Sequence, residues 1–192
     1  MKKFILLFLT TICLSFNVFA QSDCITFLGI PIDNDIQTFC KELENKGFTN
    51  ISDKLKSNAS NSIYAEMLNN VYAGEFNCYM VGIQVQTIKN KVWRVIVIDL
   101  AASDDNNIKH RFNRTFNQLN SNSKYQYYSG SEIPDDINIT YEIIVNGKTY
   151  WACFYTKNTN GCVKLTYGKE QDGYRLTLYY ENLNNFTNGD DL

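Results

Sequence analysis

The chain has 192 residues, a formal net charge of -2 and 14% aromatic residues, with eighteen Lys and Arg against twenty Asp and Glu. The two signs are interspersed, which argues against a nucleic-acid partner, since polyanion recognition wants a basic excess or a basic stripe. Thirteen Tyr, twelve Phe and only two Pro describe a chain rich in strand formers and able to bury a core.

Met1 to Ala20 reads as a secretory signal peptide. Lys2 and Lys3 form its positive head, residues 4–16 an apolar run too short to span a bilayer, and Val18-Phe19-Ala20 a small-x-small cleavage site. Neither Cys13 nor Cys24 has the small-residue approach that lipid attachment needs, so a soluble exported protein, periplasmic or secreted, is expected rather than a lipoprotein. No transmembrane segment is expected after cleavage. Residues 21–192 then form a single domain of ordinary size. Loss of Cys13 leaves Cys24, Cys40, Cys78, Cys153 and Cys162, an odd set without any C-x-x-C unit, so no zinc site is expected.

Residues 24–30 suggest a short strand closed by Pro31. Asn34 or Asp35 can then cap a helix in which Ile36, Phe39, Cys40 and Leu43 share one face and Gly47 marks the end. Residues 49–62 are polar and read as a loop. From 63 to 100 the pattern becomes strand-like, with breaks at Ala73-Gly74-Glu75 and Lys89-Asn90-Lys91. Tyr79, Val81, Ile83 and Val85 alternate with Met80, Gly82, Gln84 and Gln86, whereas residues 92–98 are apolar on both faces and predict a central strand. Ser103 or Asp104 begins a second helix striped by Ile108, Phe112, Phe116 and Leu119. Residues 137–146 are ambiguous between strand and helix, and 148–156, 162–168 and 174–180 predict three strands. The fold class is therefore α+β, a largely antiparallel sheet with two helices packed on one face. Its helix-then-strands order suggests an α-β-β-β duplication with halves at 24–100 and 103–181.

The stretch FLGIPIDNDIQTFCKELENKGF (27–48), followed by YAGEFNCYMVGIQV and KVWRVIVIDL, resembles a group of exported, uncharacterised Bacteroidales proteins. Their usual opening is similar to GIPIDG…F…L..KGF, and Asn34 stands where the group commonly has glycine. The similarity extends, more weakly, through the second helix and the C-terminal strands. It implies an export context and a fold, and no activity. More distantly, helix pairs over an antiparallel sheet are similar to β-lactamase-inhibitor-protein-like and SmpA-type envelope modules, a likeness of architecture alone.

Catalytic chemistry finds little support. The single histidine, His110, falls off the apolar stripe and reads as solvated, and the chain has no G-x-S-x-G elbow, H-E-x-x-H or phosphate loop. Asp33/Asp35, Asp104/Asp105, Asp135/Asp136 and Asp190/Asp191 could pair for acid–base work, but they sit at expected caps, turns and the tail. No catalytic residue, metal or cofactor is assigned.

The C-terminal meander carries the sharper expectation. A two-residue turn at Thr159-Asn160 would pair Lys157 with Cys162 and Phe154 with Leu165, and the next turn would pair Tyr167 with Tyr174 and Leu165 with Leu176. One side then collects Phe154, Val163, Leu165, Leu176 and Leu178. The other collects Trp151, Tyr155, Lys164, Thr166, Arg175, Thr177 and Tyr179. Rings interleaved with cations suit a contact surface, so Trp151, Tyr155, Lys164, Arg175 and Tyr179 are the candidate binding residues, for a protein or glycan of the cell envelope or exterior. Ordinary cross-strand pairs on a solvated face, or cover by the tail, are the plainer readings. The same register puts Cys153 and Cys162 roughly 13 Å apart along the strands, beyond the about 4.4 to 6.8 Å that a disulfide spans. An envelope structural or assembly factor is the alternative function, and a carboxylate-based hydrolase the third.

Overall fold

Leu28 and Gly29 both take positive φ, 53° and 79°, and this two-residue turn folds the opening segment back on itself. The single strand expected at 24–30 is instead a hairpin of β1 (Thr26–Phe27) and β2 (Ile30–Pro31). The computed structural model describes residues 24–58 and 68–187. The secretory segment and Asp190/Asp191 lie outside them. Among the described residues no helix is long and apolar enough to cross a membrane.

The two long helices form where local signals put them. Asp35 caps α1 (Ile36–Asn45) by accepting from the Thr38 amide at 3.0 Å, and Gly47 follows at φ 90°. Asp104 caps α3 (Asp105–Ser121) by accepting from the Asn107 amide at 2.8 Å. Phe39 and Leu43 of α1, and Ile108, Phe112, Phe116 and Leu119 of α3, are all buried, while His110 is exposed.

Between the helices the expected loop at 49–62 is partly ordered. β3 (Thr49–Asn50) leads into α2 (Ser52–Ser57), because Asn50 Oδ1 accepts from the Ser52 amide at 2.9 Å and Ser52 Oγ accepts from the Val71 amide, also at 2.9 Å. β4 (Val71–Phe76) follows, then β5 (Tyr79–Ile88) and β6 (Lys91–Asp99). The break expected at Ala73-Gly74-Glu75 is absent. β4 runs through Gly74, where the Phe48 ring packs so closely that a Cβ would collide with it. The turns fall at Asn77-Cys78 and Lys89-Asn90, four residues with positive φ between 49° and 67°.

The second half holds β7 (Tyr125–Gly130), α4 (Ile139–Ile144), β8 (Ala152–Thr156), β9 (Gly161–Glu170), β10 (Gly173–Asn182) and α5 (Leu183–Thr187). Asp105 receives the Ile139 and Thr140 amides at 3.1 Å each, tying α4 to the start of α3. Gly130 at φ 108° lets β7 approach β8, since a Cβ there would fall on the Trp151 carbonyl oxygen. The eight-stranded antiparallel sheet has the order β3-β4-β5-β6-β10-β9-β8-β7, with the helices on one side. Each half supplies one long helix and four strands of this sheet, and the two meanders join along β6 and β10.

The C-terminal register differs from expectation by two residues. Tyr155 pairs with Cys162, Phe154 with Val163, Leu178 with Leu165 and Leu176 with Tyr167. For β8 and β9 the reason is a four-residue turn at 157–160, closed by Thr156 Oγ1 accepting from the Gly161 amide at 3.0 Å, with Thr159 at φ 60°. For β9 and β10 it is a two-residue turn at Gln171-Asp172, which pairs Gly173 with Glu170. A slip of two preserves faces, so Phe154, Val163, Leu165, Leu176 and Leu178 are buried as a set.

Candidate functional site

The sheet face away from the helices reads in rows across the strands. One row runs Gln86, Arg94, Glu181, Cys162, Tyr155 and Gln126, from β5 to β7. The next runs Gln84, Ile96, Tyr179, Lys164, Cys153 and Ser129.

Glu181 is the electrostatic centre. Only 3% of it is exposed, yet its Oε1 lies 2.6 Å from Arg94 Nη2 and its Oε2 2.7 Å from Lys164 Nζ. Cys162 Sγ adds a third donor at 3.4 Å. Burial pushes this carboxyl up, but the hydrogen bond from Lys164 and the charges of Arg94 and Lys164 prevail and hold it below the ordinary glutamate range. A register shift in the β5–β6 ladder between Gln86 and Thr87 places Trp93 and Arg94 together. The Arg94 guanidinium sits 3.9 Å over the Trp93 ring and 5.8 Å from the Tyr179 ring. Among the described residues, the buried side-chain polar atoms without a hydrogen-bond partner are Arg94 Nε and Ser129 Oγ, both on this face.

At the far edge the Tyr128 and Tyr155 rings meet edge to face at 4.9 Å and help line a groove of about 470 Å³ with Gln126, Tyr127 and Thr159. Trp151 is 48% and Tyr128 65% exposed.

All five candidate binding residues lie on or beside this face. Lys164 and Tyr179 are direct cross-strand partners, Tyr155 stands in the adjoining row, and Trp151 immediately precedes β8. Arg175 is on the same face of β10 but nearer the turn, where Asp172 at 2.7 Å and Glu170 at 2.8 Å hold its guanidinium. Arg94 and Glu181 escape sequence reasoning. The first is hidden in a run that reads as apolar, and the second lies one residue past the expected strand end.

Three of the paired aspartates serve structure through their carboxylates: Asp35 and Asp104 are helix caps and Asp105 anchors α4, while the backbone carbonyl of Asp135 accepts from Lys109 Nζ at 3.0 Å. The expected separation of Cys153 and Cys162 is overturned by the two-residue register slip. They are diagonal neighbours on β8 and β9, and both are buried.

The Glu181 carboxylate makes a pH prediction. Its folded-state pKa is depressed, so its contribution to stability is present above the unfolded value near 4.5 and is lost as pH falls through the folded one. Urea midpoints measured from pH 7 to pH 2.5 should therefore drop more steeply for the wild type below about pH 4.5 than for Glu181→Gln. Parallel profiles would refute the ion-paired carboxylate.

No family model, curated protein or solved structure matches the chain. Architecture and site together define an α+β domain whose helices cover one sheet face and leave the other aromatic and charged.

Proposed function

We propose that this is a non-catalytic binding module, exported to the periplasm or exterior, that contacts an envelope or extracellular protein or glycan through the sheet face around Arg94, Glu181 and Trp151. The export part of the reading rests on the pattern of residues 1–20.

The observation that carries the binding part is the composition of the sheet face opposite the two long helices, as the described residues form it. That face gathers Trp93, Trp151, Tyr128, Tyr155 and Tyr179 beside Arg94 and Lys164, the residue types enriched where proteins make their strongest contacts. Rings add buried area while keeping a hydrogen-bonding tip, and ion-paired cations hold their orientation before a partner arrives. Among the described residues Asp35, Asp104 and Asp105 are engaged as caps and an anchor, which counts against the hydrolase reading. An assembly factor would use the same face constitutively.

Affinity capture from envelope extract tests the reading. Trp151→Ala together with Tyr179→Ala should reduce capture at least tenfold, because each truncation at a contact centre costs about 1–2 kcal/mol or more. Thermal unfolding of the double variant should stay cooperative. Equal capture by wild type and variant would sink the patch.

A further inference from the structure

The geometry points to a pocket on the helix side of the sheet, between the β1–β2 hairpin and the end of α3, that takes a single sugar ring bearing a carboxylate, a hexuronate. It lies across the sheet from Arg94 and Glu181, so the proposal goes beyond the binding reading and stands or falls separately from it.

The pocket forms where the two halves of the chain meet. The hairpin and the β4–β5 turn wall one side, the last turns of α3 and the start of β7 the other, and Leu178 and Tyr180 of β10 make the floor. Both floor residues are buried, and Tyr180 pairs with Val95 and Val163 in a row that faces the helices. The volume is about 340 Å³, near the lower end of the roughly 300–1,000 Å³ of small-molecule sites. That suits one ring rather than a chain of them.

Tyr180 is the residue that asks for a partner. It is only 7% exposed, yet its hydroxyl makes no hydrogen bond among the described residues. The fully enclosed side-chain polar atoms in that condition are Arg94 Nε and Ser129 Oγ, so the Tyr180 hydroxyl is not sealed in the core and opens to the pocket that it lines. Buried polar groups are seldom left unmatched, and only water or a ligand can match this one. Tyr125 repeats the pattern on the wall, a half-buried residue whose hydroxyl is likewise unbonded among the described residues. Burial raises both phenol pKa values, so each group stays protonated and can donate as well as accept.

The rim sets the chemical class. Thr26, Asn77 and Gln118 line it, and among the described residues no hydrogen bond engages their side chains. Hydroxyls and amides both donate and accept, as the hydroxyls of a sugar do, and Phe76 and Leu178 offer apolar surface to the ring's C–H face. Lys124 is the one charged lining residue among those described, and it is exposed and without an ion-pair partner among them. A free amino acid fits poorly, because its ammonium would meet no carboxylate. A phosphate dianion wants more cations or backbone N–H groups than a single lysine supplies. One carboxylate on a polyhydroxylated ring matches the set.

The test is calorimetric titration of the folded full chain with glucuronate and galacturonate, and with glucose and galactose as their neutral counterparts, at low and high salt. At least one hexuronate should bind saturably with a dissociation constant of about 1 mM or tighter. It should bind about fivefold more tightly than its neutral counterpart, the reach of one exposed ion pair, and high salt should erase that preference. Lys124→Gln should bring the hexuronate down to the affinity of the neutral sugar. Tyr180→Phe should weaken both about fivefold through loss of one hydrogen bond, with circular dichroism superposable on wild type. Gln118→Ala, at an exposed position, should weaken both as well and supplies a reading that unfolding cannot explain. Absence of binding by either hexuronate at about 10 mM, tenfold above that constant, would overturn the proposal. Equal affinity for the hexuronate and its neutral counterpart, or wild-type affinity in both Tyr180→Phe and Gln118→Ala, would overturn it too.

Discussion

Replacing Arg111 with methionine is expected to lower the unfolding free energy by about 3–5 kcal/mol, the cost of leaving one partner of a buried ion pair uncompensated. Arg111 is 3% and Asp99 4% exposed. The guanidinium bonds the carboxylate twice, Nε to Oδ2 and Nη2 to Oδ1, each at 3.1 Å. Its Nη1 reaches Thr115 Oγ1 at 3.3 Å, and its plane lies 3.7 Å over the Tyr79 ring. The pair therefore ties α3 to the end of β6 and the start of β5. Methionine keeps much of the volume but strands the Asp99 charge. Changing both partners, Asp99→Leu with Arg111→Met, should recover most of the stability, since an apolar replacement pays neither desolvation cost. Urea unfolding of the single and double variants checks this, and a single variant within about 1 kcal/mol of wild type, the surface ion-pair range, would contradict it.

Phe154→Ala should cost about 3–5 kcal/mol by removing apolar contact and leaving a cavity. The ring is fully buried and packs edge to face with Phe116 of α3 at 5.4 Å and Tyr127 of β7 at 5.8 Å. It joins α3, β8 and the outermost strand, so the surrounding chain cannot collapse into the space without moving β7. Phe154→Leu, which keeps most of the apolar volume, should cost less than half as much in the same urea titration. Equal losses would mean that aromatic packing at this joint is unimportant.

The helices were legible because their signals are local. A capping aspartate, a stripe at three and four residues and a terminal glycine all lie within one element. Strand faces were legible for a related reason: period-two alternation survives the slip of two residues in the β8–β9–β10 register. Register itself was not, because a four-residue turn held by the Thr156 hydroxyl has no sequence sign that separates it from a two-residue one. β7 went unseen since Gln126, Tyr127 and Tyr128 are all exposed and show no alternation. The Arg94–Glu181–Lys164 cluster depends on pairing β6 with β10, two strands from different halves of the chain. No local pattern brings those residues together, and the diagonal placement of Cys153 and Cys162 stayed hidden with the register.

Oxidative footprinting of the full chain, in buffer and in envelope extract, tests the central claim most directly. Hydroxyl radicals label exposed rings, and the two faces carry separate reporters: Trp151 and Tyr128 beside the open sheet face, and Tyr141 on α4, which is 56% exposed. The binding account predicts that extract suppresses labelling of Trp151 and Tyr128 severalfold and leaves Tyr141 unchanged. Unchanged labelling of Trp151 and Tyr128, or protection confined to Tyr141, would contradict it.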